Sequence, residues 1–243
     1  MGLLRNLISG LCDIVYPKTC HACGLKITAG SIDGLVCASC WSKIKRNLPP
    51  FCRKCGRNIA GSGSGNNSCA NCVSGNLHFD RAFSPCLYDG TIKELVHAFK
   101  YKNKDYLSGI LARPMIEFIE EYNLPMRAID ALAAVPLSTV KLREREFNQA
   151  LLLAGHIGKE FNKEILHGRL LRLRNTRSQA ELDNRQRCLN VMDAFSVSKG
   201  PDLNGKNILL IDDVLTTGAT ASEAAKALKN AGANMVYVLT LAS

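Results

Sequence analysis

Eight cysteines arranged as four C-x-x-C pairs constrain this chain more than any other feature. The pairs fall into two units, CHACGLKITAGSIDGLVCASC and CRKCGRNIAGSGSGNNSCANC, and thirteen residues separate the two pairs within each unit. A C-x-x-C pair places two thiolates about one tetrahedral edge apart, and a second pair completes a site of four sulfurs. The pattern predicts two zinc sites whose ligands are Cys20, Cys23, Cys37, Cys40, Cys52, Cys55, Cys69 and Cys72.

The spacing allows two ways of combining these pairs. Sequential pairing joins the two pairs inside each unit, whereas interleaved pairing joins pairs from different units; the repeat favours the sequential form, and both remain open here. Four sulfurs fill every position of a tetrahedral site, so the predicted zinc ions are structural. Thioredoxin-like redox chemistry is the other common use of C-x-x-C, and the lack of a flanking βαβ pattern disfavours it.

The composition is that of a chain with room for one or two packed domains, since 47% of its 243 residues are hydrophobic. No segment approaches the roughly 20 apolar residues that a membrane span requires. Residues 3–11 predict an amphipathic helix rather than a signal peptide, and eleven cysteines without a secretory signal favour a cytoplasmic protein with bound metal. The net charge of +10 is compatible with nucleic acid or phosphate-bearing ligands and equally with a surface charged for solubility.

Beyond residue 79 the pattern becomes that of an α/β protein. Apolar periodicity predicts helices over 91–101, 105–123, 147–161, 180–191 and 220–232, with the second interrupted or restarted at Pro114. Strands are predicted over 128–136, 164–173, 194–198, 205–212 and 234–242. Alternation of this kind predicts a mostly parallel sheet flanked by helices. We therefore expect a small cysteine-rich module over residues 1–78 and an α/β domain over 79–243.

The segment NILLIDDVLTTGAT (207–220) places two carboxylates, Asp212 and Asp213, directly after a buried strand. Ligands bind beyond the carboxyl ends of parallel strands, and unpaired carboxylates are too costly to bury. The following loop offers backbone N–H groups, threonine hydroxyls and a helix N-terminus, which together suit one phosphate. Neither a Walker P-loop nor a G-x-G-x-x-G run is present. The pattern predicts a sugar-phosphate site.

Three segments resemble known families. ILLIDDVLTTGAT resembles the 5-phosphoribosyl-1-pyrophosphate (PRPP) motif of type I phosphoribosyltransferases. VPLSTVKLREREFNQA (135–150) and LLRLRNTRSQAELDNRQRCLNVMDAF (170–195) resemble the ComF (ComFC, GntX-like) family, including its R-x-R-x-F-N-Q and R-x-T-x-x-Q signatures. The resemblance covers essentially the whole chain, because that family also carries an N-terminal zinc module. Glu146 departs from it, since the family usually has glycine before Phe-Asn-Gln.

The resemblance implies a type I phosphoribosyltransferase-like fold with a double zinc-ribbon-like module. It implies that Asp212 and Asp213 bind the ribose hydroxyls of PRPP, that Mg²⁺ accompanies PRPP, and that the 5′-phosphate is bound by Thr216, Thr217, Gly218, Ala219 and Thr220. Further candidates for contacts to the pyrophosphate, or for a hood over the site, are Lys100, Ser138, Arg143, Arg145, Arg174, Arg177 and Gln179, with Lys141 and Arg172 in the same basic stretches. A solvated helix start explains 141–149 about as well, and contact with a nucleic-acid backbone explains the arginines of 172–177 equally well. No residue is assigned a catalytic role, and no segment specifies an acceptor.

Two functions follow as hypotheses. In the first, the chain is a PRPP-binding protein, with or without transferase activity, that acts in DNA uptake and natural transformation. In the second, it is a non-catalytic adaptor for single-stranded DNA or an uptake helicase, and its PRPP site is regulatory or vestigial. The basic segments contain few aromatic residues, which disfavours extensive base stacking.

Overall fold

The computed structural model describes residues 18–28, 30–60, 67–73, 77–101, 104–174, 190–200 and 202–243. Arg177, Gln179, the predicted N-terminal helix and most of the predicted helix 180–191 lie outside these residues. The described strands are β1 (Ser31–Ile32), β2 (Val36–Cys37), β3 (Arg81–Phe83), β4 (Ala131–Ala134), β5 (Glu164–Ile165), β6 (Leu170–Arg172), β7 (Phe195–Val197), β8 (Asn207–Val214) and β9 (Met235–Ala242). The described α-helices are α1 (Ala38–Ser42), α2 (Ala70–Val73), α3 (Gly90–Tyr101), α4 (Ser108–Glu121), α5 (Thr139–Arg145), α6 (Gln149–Glu160) and α7 (Ala219–Asn230).

A five-stranded parallel sheet forms the centre of the fold, in the order β3-β9-β8-β4-β5. The two long strands β8 and β9 lie side by side within it, in a register that pairs Asn207 with Met235 and Val214 with Ala242. A parallel sheet covered on both faces requires nearly continuous apolar strands, as these two are. The predicted α/β class is confirmed.

Side chains alternate between the two faces of β8 and build two hydrophobic clusters. Leu209 and Ile211 pack in the cluster that contains the buried side chains of α3, α4 and α6. Ile208 and Leu210 pack in the other cluster, with the buried side chains of α7. The sheet is therefore enclosed by helices on both sides, and its strand ends are left to form a site. None of the described helices combines the length and apolar character needed to cross a bilayer.

One prediction about a single element was wrong, and another was incomplete. Helix α4 continues through Pro114, because Pro114 and its neighbours Leu111 and Met115 are buried and their packing offsets the one backbone hydrogen bond that proline removes. The segment 164–173, which was predicted to hold a strand, holds two: β5 at the sheet edge and β6, which pairs antiparallel with β7. A turn at Gly168, whose φ is +63°, separates them.

The cysteine-rich segment packs directly against the sheet. Asn47 is fully buried, and its side-chain amide donates to the carbonyls of Gly56 and Ser84 at 2.8 Å each. The backbone N–H of Ala82 in β3 donates to the carbonyl of Lys54 at 2.7 Å. The two parts share packed side chains as well as hydrogen bonds, so the division at residue 78 remains a prediction based on composition.

Candidate functional site

The eight paired cysteines form two clusters, Cys20/Cys23/Cys37/Cys40 and Cys52/Cys55/Cys69/Cys72, and the sulfurs of each lie within 4.8 Å of one another. The pairing is therefore sequential. The sulfurs of Cys55 and Cys69 are 3.6 Å apart, close to the edge of about 3.8 Å that a tetrahedron with Zn–S bonds of about 2.3 Å requires. The geometry and the donor set both fit structural zinc.

Backbone amides prepare one sulfur in each cluster for the metal. The N–H of Cys37 donates to the Cys20 sulfur at 3.4 Å, and the N–H of Cys69 donates to the Cys52 sulfur at 3.3 Å. Burial raises the pKa of Cys20 and Cys52, but these amides and others in the same turn outweigh it and lower each pKa to about 6. The thiolate is the form that binds metal, so each ribbon holds one preformed ligand.

A cavity of about 430 Å³ opens at the carboxyl ends of β4 and β8. Its wall includes the end of β8, the loop 215–218, and residues of α3, α5, α6, β6 and the first turn of α7. Its volume lies in the range of small-molecule sites, roughly 300–1,000 Å³. It also lies where ligands bind in open parallel sheets, so we take it as the candidate site.

Asp212 and Asp213, the acid pair, both line this cavity at the end of β8. An Asp213 carboxylate oxygen lies 2.7 Å from the Lys100 ammonium. Burial and the neighbouring charge of Asp213 raise the pKa of Asp212 to about 7. Burial alone would lower the pKa of Lys100, but Asp213 and Asp212 raise it, so the lysine stays charged. Asp213 is thus ion-paired with a lysine, while Asp212 changes protonation near neutral pH.

Four basic side chains surround the same space. This cation cluster consists of Lys100, Lys141, Arg145 and Arg172. Burial lowers the pKa of Lys141, and the nearby charges of Arg172 and Arg145 lower it further. Arg145 stacks over the Tyr101 ring at 5.1 Å. Because the cluster exceeds the acid pair in charge, it has positive charge left for an anionic ligand.

Gln149, the first residue of α6, adds a side-chain donor that has no partner among the described residues. The residue is 2% exposed, and its side-chain carbonyl accepts from Arg145 at 3.2 Å. Its side-chain N–H₂ has no acceptor among the described residues. A buried polar group of this kind normally binds water or a ligand, and Gln149 lines the cavity.

The loop 215–218 connects the acid pair to α7. Gly218 adopts φ of +81° immediately before the first helical residue, Ala219, and the Thr217 hydroxyl accepts from the Ala219 N–H at 3.3 Å. The backbone N–H groups of Thr216 and Thr217 donate to no acceptor within the part of the chain that the structure describes. Free amides beside the positive end of a helix form an anion site.

The structure brings most of the predicted site residues to this cavity. Those that line it are Lys100, Arg145, Asp212, Asp213, Thr216, Gly218, Ala219 and Thr220. Thr217 lies on the other side of the loop, where it lines a second cavity of about 360 Å³ together with Arg57.

Other predicted residues lie elsewhere. Ser138 is buried and caps α5 by accepting from the Lys141 N–H at 3.4 Å. Arg143 is exposed on α5, away from the cavity lining, and Arg174 is exposed and donates to the Met192 carbonyl. Glu146 ends α5 in the left-handed conformation with φ of +65°, which glycine adopts more readily.

Lys141, Gln149 and Arg172 also line the cavity. Gln149 was not among the predicted site residues, whereas Lys141 and Arg172 belong to the basic stretches 141–149 and 172–179 that were candidates for covering or binding the pyrophosphate. Lys141 and Gln149 lie in the segment 135–150, and Arg172 lies in 170–195, the two segments that carry the ComF resemblance. Their location in these two segments was the signal by which the sequence pointed to them as site residues. Their orientation was not predictable, because it depends on where α5 and β6 begin.

Two domain families match the chain. Residues 11–73 match the double zinc ribbon domain, and residues 149–243 match the phosphoribosyl transferase domain. The first match contains both cysteine clusters. The second contains the acid pair, the loop 215–218 and Gln149.

Curated relatives align with most of the chain. Competence protein F of Haemophilus influenzae is 28% identical over 211 residues, which cover 85% of this chain and 90% of that protein. Competence protein ComFC of Bacillus subtilis is 29% identical over 238 residues, or 95% of this chain and 92% of that protein. DNA utilization protein YhgH of Escherichia coli K12 is 25% identical over 230 residues, or 94% of this chain and 98% of that protein.

Proposed function

Because this chain is a homologue of competence protein F and ComFC over most of its length, we propose that it is a PRPP-binding protein that acts in the uptake or use of DNA. One observation supports PRPP most directly: the acid pair, three residues of the loop 215–218 (Leu215, Thr216 and Gly218) and the cation cluster all line the same cavity. The names of the relatives support the link to DNA uptake. Eight cysteines paired for zinc suit a reducing compartment, which supports a cytoplasmic location.

Each part of PRPP has a chemically matched group in the cavity. The acid pair accepts hydrogen bonds from the two ribose hydroxyls. The 5′-phosphate binds the N–H groups of the loop 215–218 and the first turn of α7. The pyrophosphate binds the cation cluster, and the unpaired Gln149 amide donates to one of its oxygens.

Magnesium fits this arrangement as an ion carried by the ligand. Carboxylates are ligands of the kind that Mg²⁺ accepts, but Asp213 is already paired with Lys100. When bound, Mg²⁺ would supply positive charge to the pyrophosphate and ribose oxygens. Asp212 and Asp213 are the residues that would lie nearest to it, at the ribose hydroxyls.

If the protein is a transferase, the reaction is a displacement at ribose C1. A bond forms between the acceptor nucleophile and C1, the bond from C1 to the pyrophosphate oxygen breaks, and pyrophosphate leaves with the electron pair. The acid pair and the loop hold the ribose 5-phosphate in place, and the cation cluster stabilises the charge that develops on the leaving group.

The test is calorimetric titration of zinc-replete protein with PRPP and Mg²⁺. We expect the wild type to bind and Asp212→Asn/Asp213→Asn to lose binding. The matched control is Glu120→Gln/Glu121→Gln, which neutralises two adjacent acids that are exposed at the end of α4 and should bind like the wild type. Absence of binding by folded wild type would contradict the proposal.

A second measurement separates an enzyme from an adaptor. Release of pyrophosphate from PRPP in the presence of an acceptor would establish a transferase. PRPP binding without turnover, together with salt-dependent binding of single-stranded DNA that PRPP does not alter, would favour the adaptor with a regulatory site. The same wild-type preparation serves both measurements.

A further inference from the structure

Arg57 joins the second zinc ribbon to the wall of the candidate site. It follows Gly56 in the ribbon, and its guanidinium donates to the carbonyl of Leu215 at 3.0 Å and to the carbonyl of Thr216. These carbonyls belong to two consecutive peptide units of the loop 215–218. Both bonds come from the same terminal nitrogen, Nη2, whose two N–H groups can each reach one carbonyl, so one arginine holds both peptide units together.

The geometry of the peptide bond gives this contact a consequence for the cavity. In a trans peptide the C=O and the N–H point to opposite sides of the chain. The carbonyl of Leu215 shares a peptide unit with the N–H of Thr216, and the carbonyl of Thr216 shares one with the N–H of Thr217. An arginine that holds both carbonyls on the ribbon side therefore turns both N–H groups away from the ribbon. Neither of these two N–H groups donates to an acceptor among the described residues.

The ribbon is placed firmly enough to act as a support. Gly56 lies so close to β3 that an added Cβ would be 2.3 Å from the Ala82 carbonyl oxygen. Buried Asn47 accepts from the Asn58 N–H at 3.0 Å on one side of Arg57 and donates to the Gly56 carbonyl at 2.8 Å on the other. The backbone of Arg57 is thus fixed from both neighbours.

The chain that leaves the ribbon supports α7 as well. The backbone N–H of His78 donates to the hydroxyl of Ser222, in the first turn of α7, at 3.0 Å. An added Cβ on Gly218 would lie 3.5 Å from both Leu77 and Phe79, so these side chains border the end of the loop. Arg57 and the 77–79 segment together support the loop 215–218 from the side of the second zinc ribbon.

We propose that Arg57 is a positioning residue for the phosphate end of the site, through which the second zinc ribbon orients the backbone N–H groups of Thr216 and Thr217. The inference rests on the proposed PRPP function and adds a role for the ribbon within it. The two parts of the ligand should therefore respond differently to Arg57. Affinity for ribose 5-phosphate depends on Arg57, whereas affinity for pyrophosphate, which the cation cluster binds, does not.

The test compares Arg57→Ala with wild type by calorimetry, using ribose 5-phosphate and Mg²⁺-pyrophosphate as separate probes. We expect affinity for ribose 5-phosphate to fall about tenfold, the equivalent of roughly 1.4 kcal/mol, and affinity for pyrophosphate to change less than about twofold. Arg57→Lys retains the charge and some donors, so it should recover part of the loss. Arg53→Ala removes an exposed arginine of the same ribbon and should bind both probes like the wild type.

Zinc content and thermal midpoint are measured for every variant. Arg57→Ala that binds ribose 5-phosphate normally would overturn the role of Arg57 while the proposed function stands. Equal loss of both probes, or loss of zinc, would also overturn it, because Arg57 would then serve folding alone. Failure of the wild type to bind either probe would remove the proposed function and this inference with it.

Discussion

Lys100 and Asp213 form an ion pair of 2.7 Å whose side chains are only 19% and 12% exposed. It joins the end of α3 to the end of β8 at the edge of the cavity. Since ribose hydroxyls would share Asp213 with this lysine, the pair holds the carboxylate in position before the ligand arrives. Burial, together with the charge of the neighbouring Asp213, raises the pKa of Asp212 to about 7, although Lys100 and Arg172 act in the opposite direction.

The first prediction concerns the stability of this pair. Lys100→Met leaves a largely buried carboxylate uncompensated and should lower the free energy of unfolding by about 3 kcal/mol. Lys100→Met/Asp213→Asn should recover most of that loss, because no charge is then left unpaired. Urea denaturation of zinc-replete protein measures both. Lys45→Met, which breaks the exposed pair with Asp89, should leave the denaturation midpoint unchanged. A midpoint that is equally unchanged in Lys100→Met would contradict the argument.

The second prediction concerns the pH dependence that Asp212 causes. The unfolded chain loses this proton near the ordinary pKa of 3.8, whereas the folded protein keeps it until about pH 7. Between these values the folded state binds the additional proton, so the contribution of Asp212 to stability falls as the pH rises from about 4 to 7 and then levels off. Asp212→Asn has no carboxyl group to titrate at this position, so it removes this loss of stability with rising pH.

We therefore expect Asp212→Asn to raise the thermal midpoint relative to wild type at pH 8 and to raise it much less at pH 5. Comparing variant with wild type at each pH cancels the titration of other groups. Glu120→Gln, at an exposed acid of α4, should show the same small difference at both pH values. A pH-independent difference for Asp212→Asn would show that its carboxyl group has an ordinary pKa.

The parts of this protein that could be predicted are those with a local physical cause. Spacing alone identified the zinc ligands, since each C-x-x-C turn brings its own two sulfurs together. The acid pair was identifiable because two carboxylates after an apolar strand have to lie at the strand end. Both conclusions need only a few neighbouring residues.

The parts that could not be predicted depend on packing between distant residues. Lys141 lines the cavity and Arg143 does not, a difference set by the residue at which α5 starts, because each residue turns a helix by about 100°. Arg57 contacts a loop more than 150 positions away in the sequence. Pro114 suggested a helix end, and burial of α4 against the sheet outweighed that local preference.

The third prediction compares two glycines at equivalent positions of the two ribbons. Gly24 and Gly56 have nearly the same backbone conformation, with φ of +75° and +71°, but an added Cβ meets nothing within 4 Å at Gly24 and lies 2.3 Å from the Ala82 carbonyl oxygen at Gly56. Gly24→Ala should lower the free energy of unfolding by about 1–2 kcal/mol, which is the cost of placing alanine in the left-handed conformation. Gly56→Ala should cost about 1–3 kcal/mol more, because the backbone of β3 has to move. Equal unfolding free energies in urea would argue against close contact between ribbon and sheet.

The fourth prediction tests the sequential pairing of the zinc ligands by metal content. Cys20→Ser/Cys37→Ser removes two ligands from one site and should leave one zinc ion per chain. Cys20→Ser/Cys52→Ser removes one ligand from each site and should weaken both. Interleaved pairing would give the reverse result, since Cys20 and Cys52 would then share a site. Elemental analysis after dialysis against a mild chelator distinguishes the two patterns.

The fifth prediction uses two arginines of the same helix to test the cation cluster. Arg145 lines the cavity, where it stacks on Tyr101 and donates to Gln149, whereas Arg143 is exposed and lies outside the lining. Arg145→Ala should weaken binding of Mg²⁺-pyrophosphate about tenfold through loss of a charge-assisted contact. Arg143→Ala should change it less than about twofold.

Titration at two salt concentrations distinguishes a direct contact from long-range electrostatic attraction in Arg145→Ala and Arg143→Ala. A long-range contribution of Arg143 would fade as ionic strength rises, since charges separated by more than about 10 Å are screened at 0.1 M salt. The loss in Arg145→Ala should persist at both low and high salt, because the lost contact lies inside a partly enclosed cavity. Titrations of both variants at two salt concentrations measure this. Equal, salt-sensitive losses would mean that pyrophosphate responds to the overall positive charge of α5, and the cation cluster would no longer define its binding site.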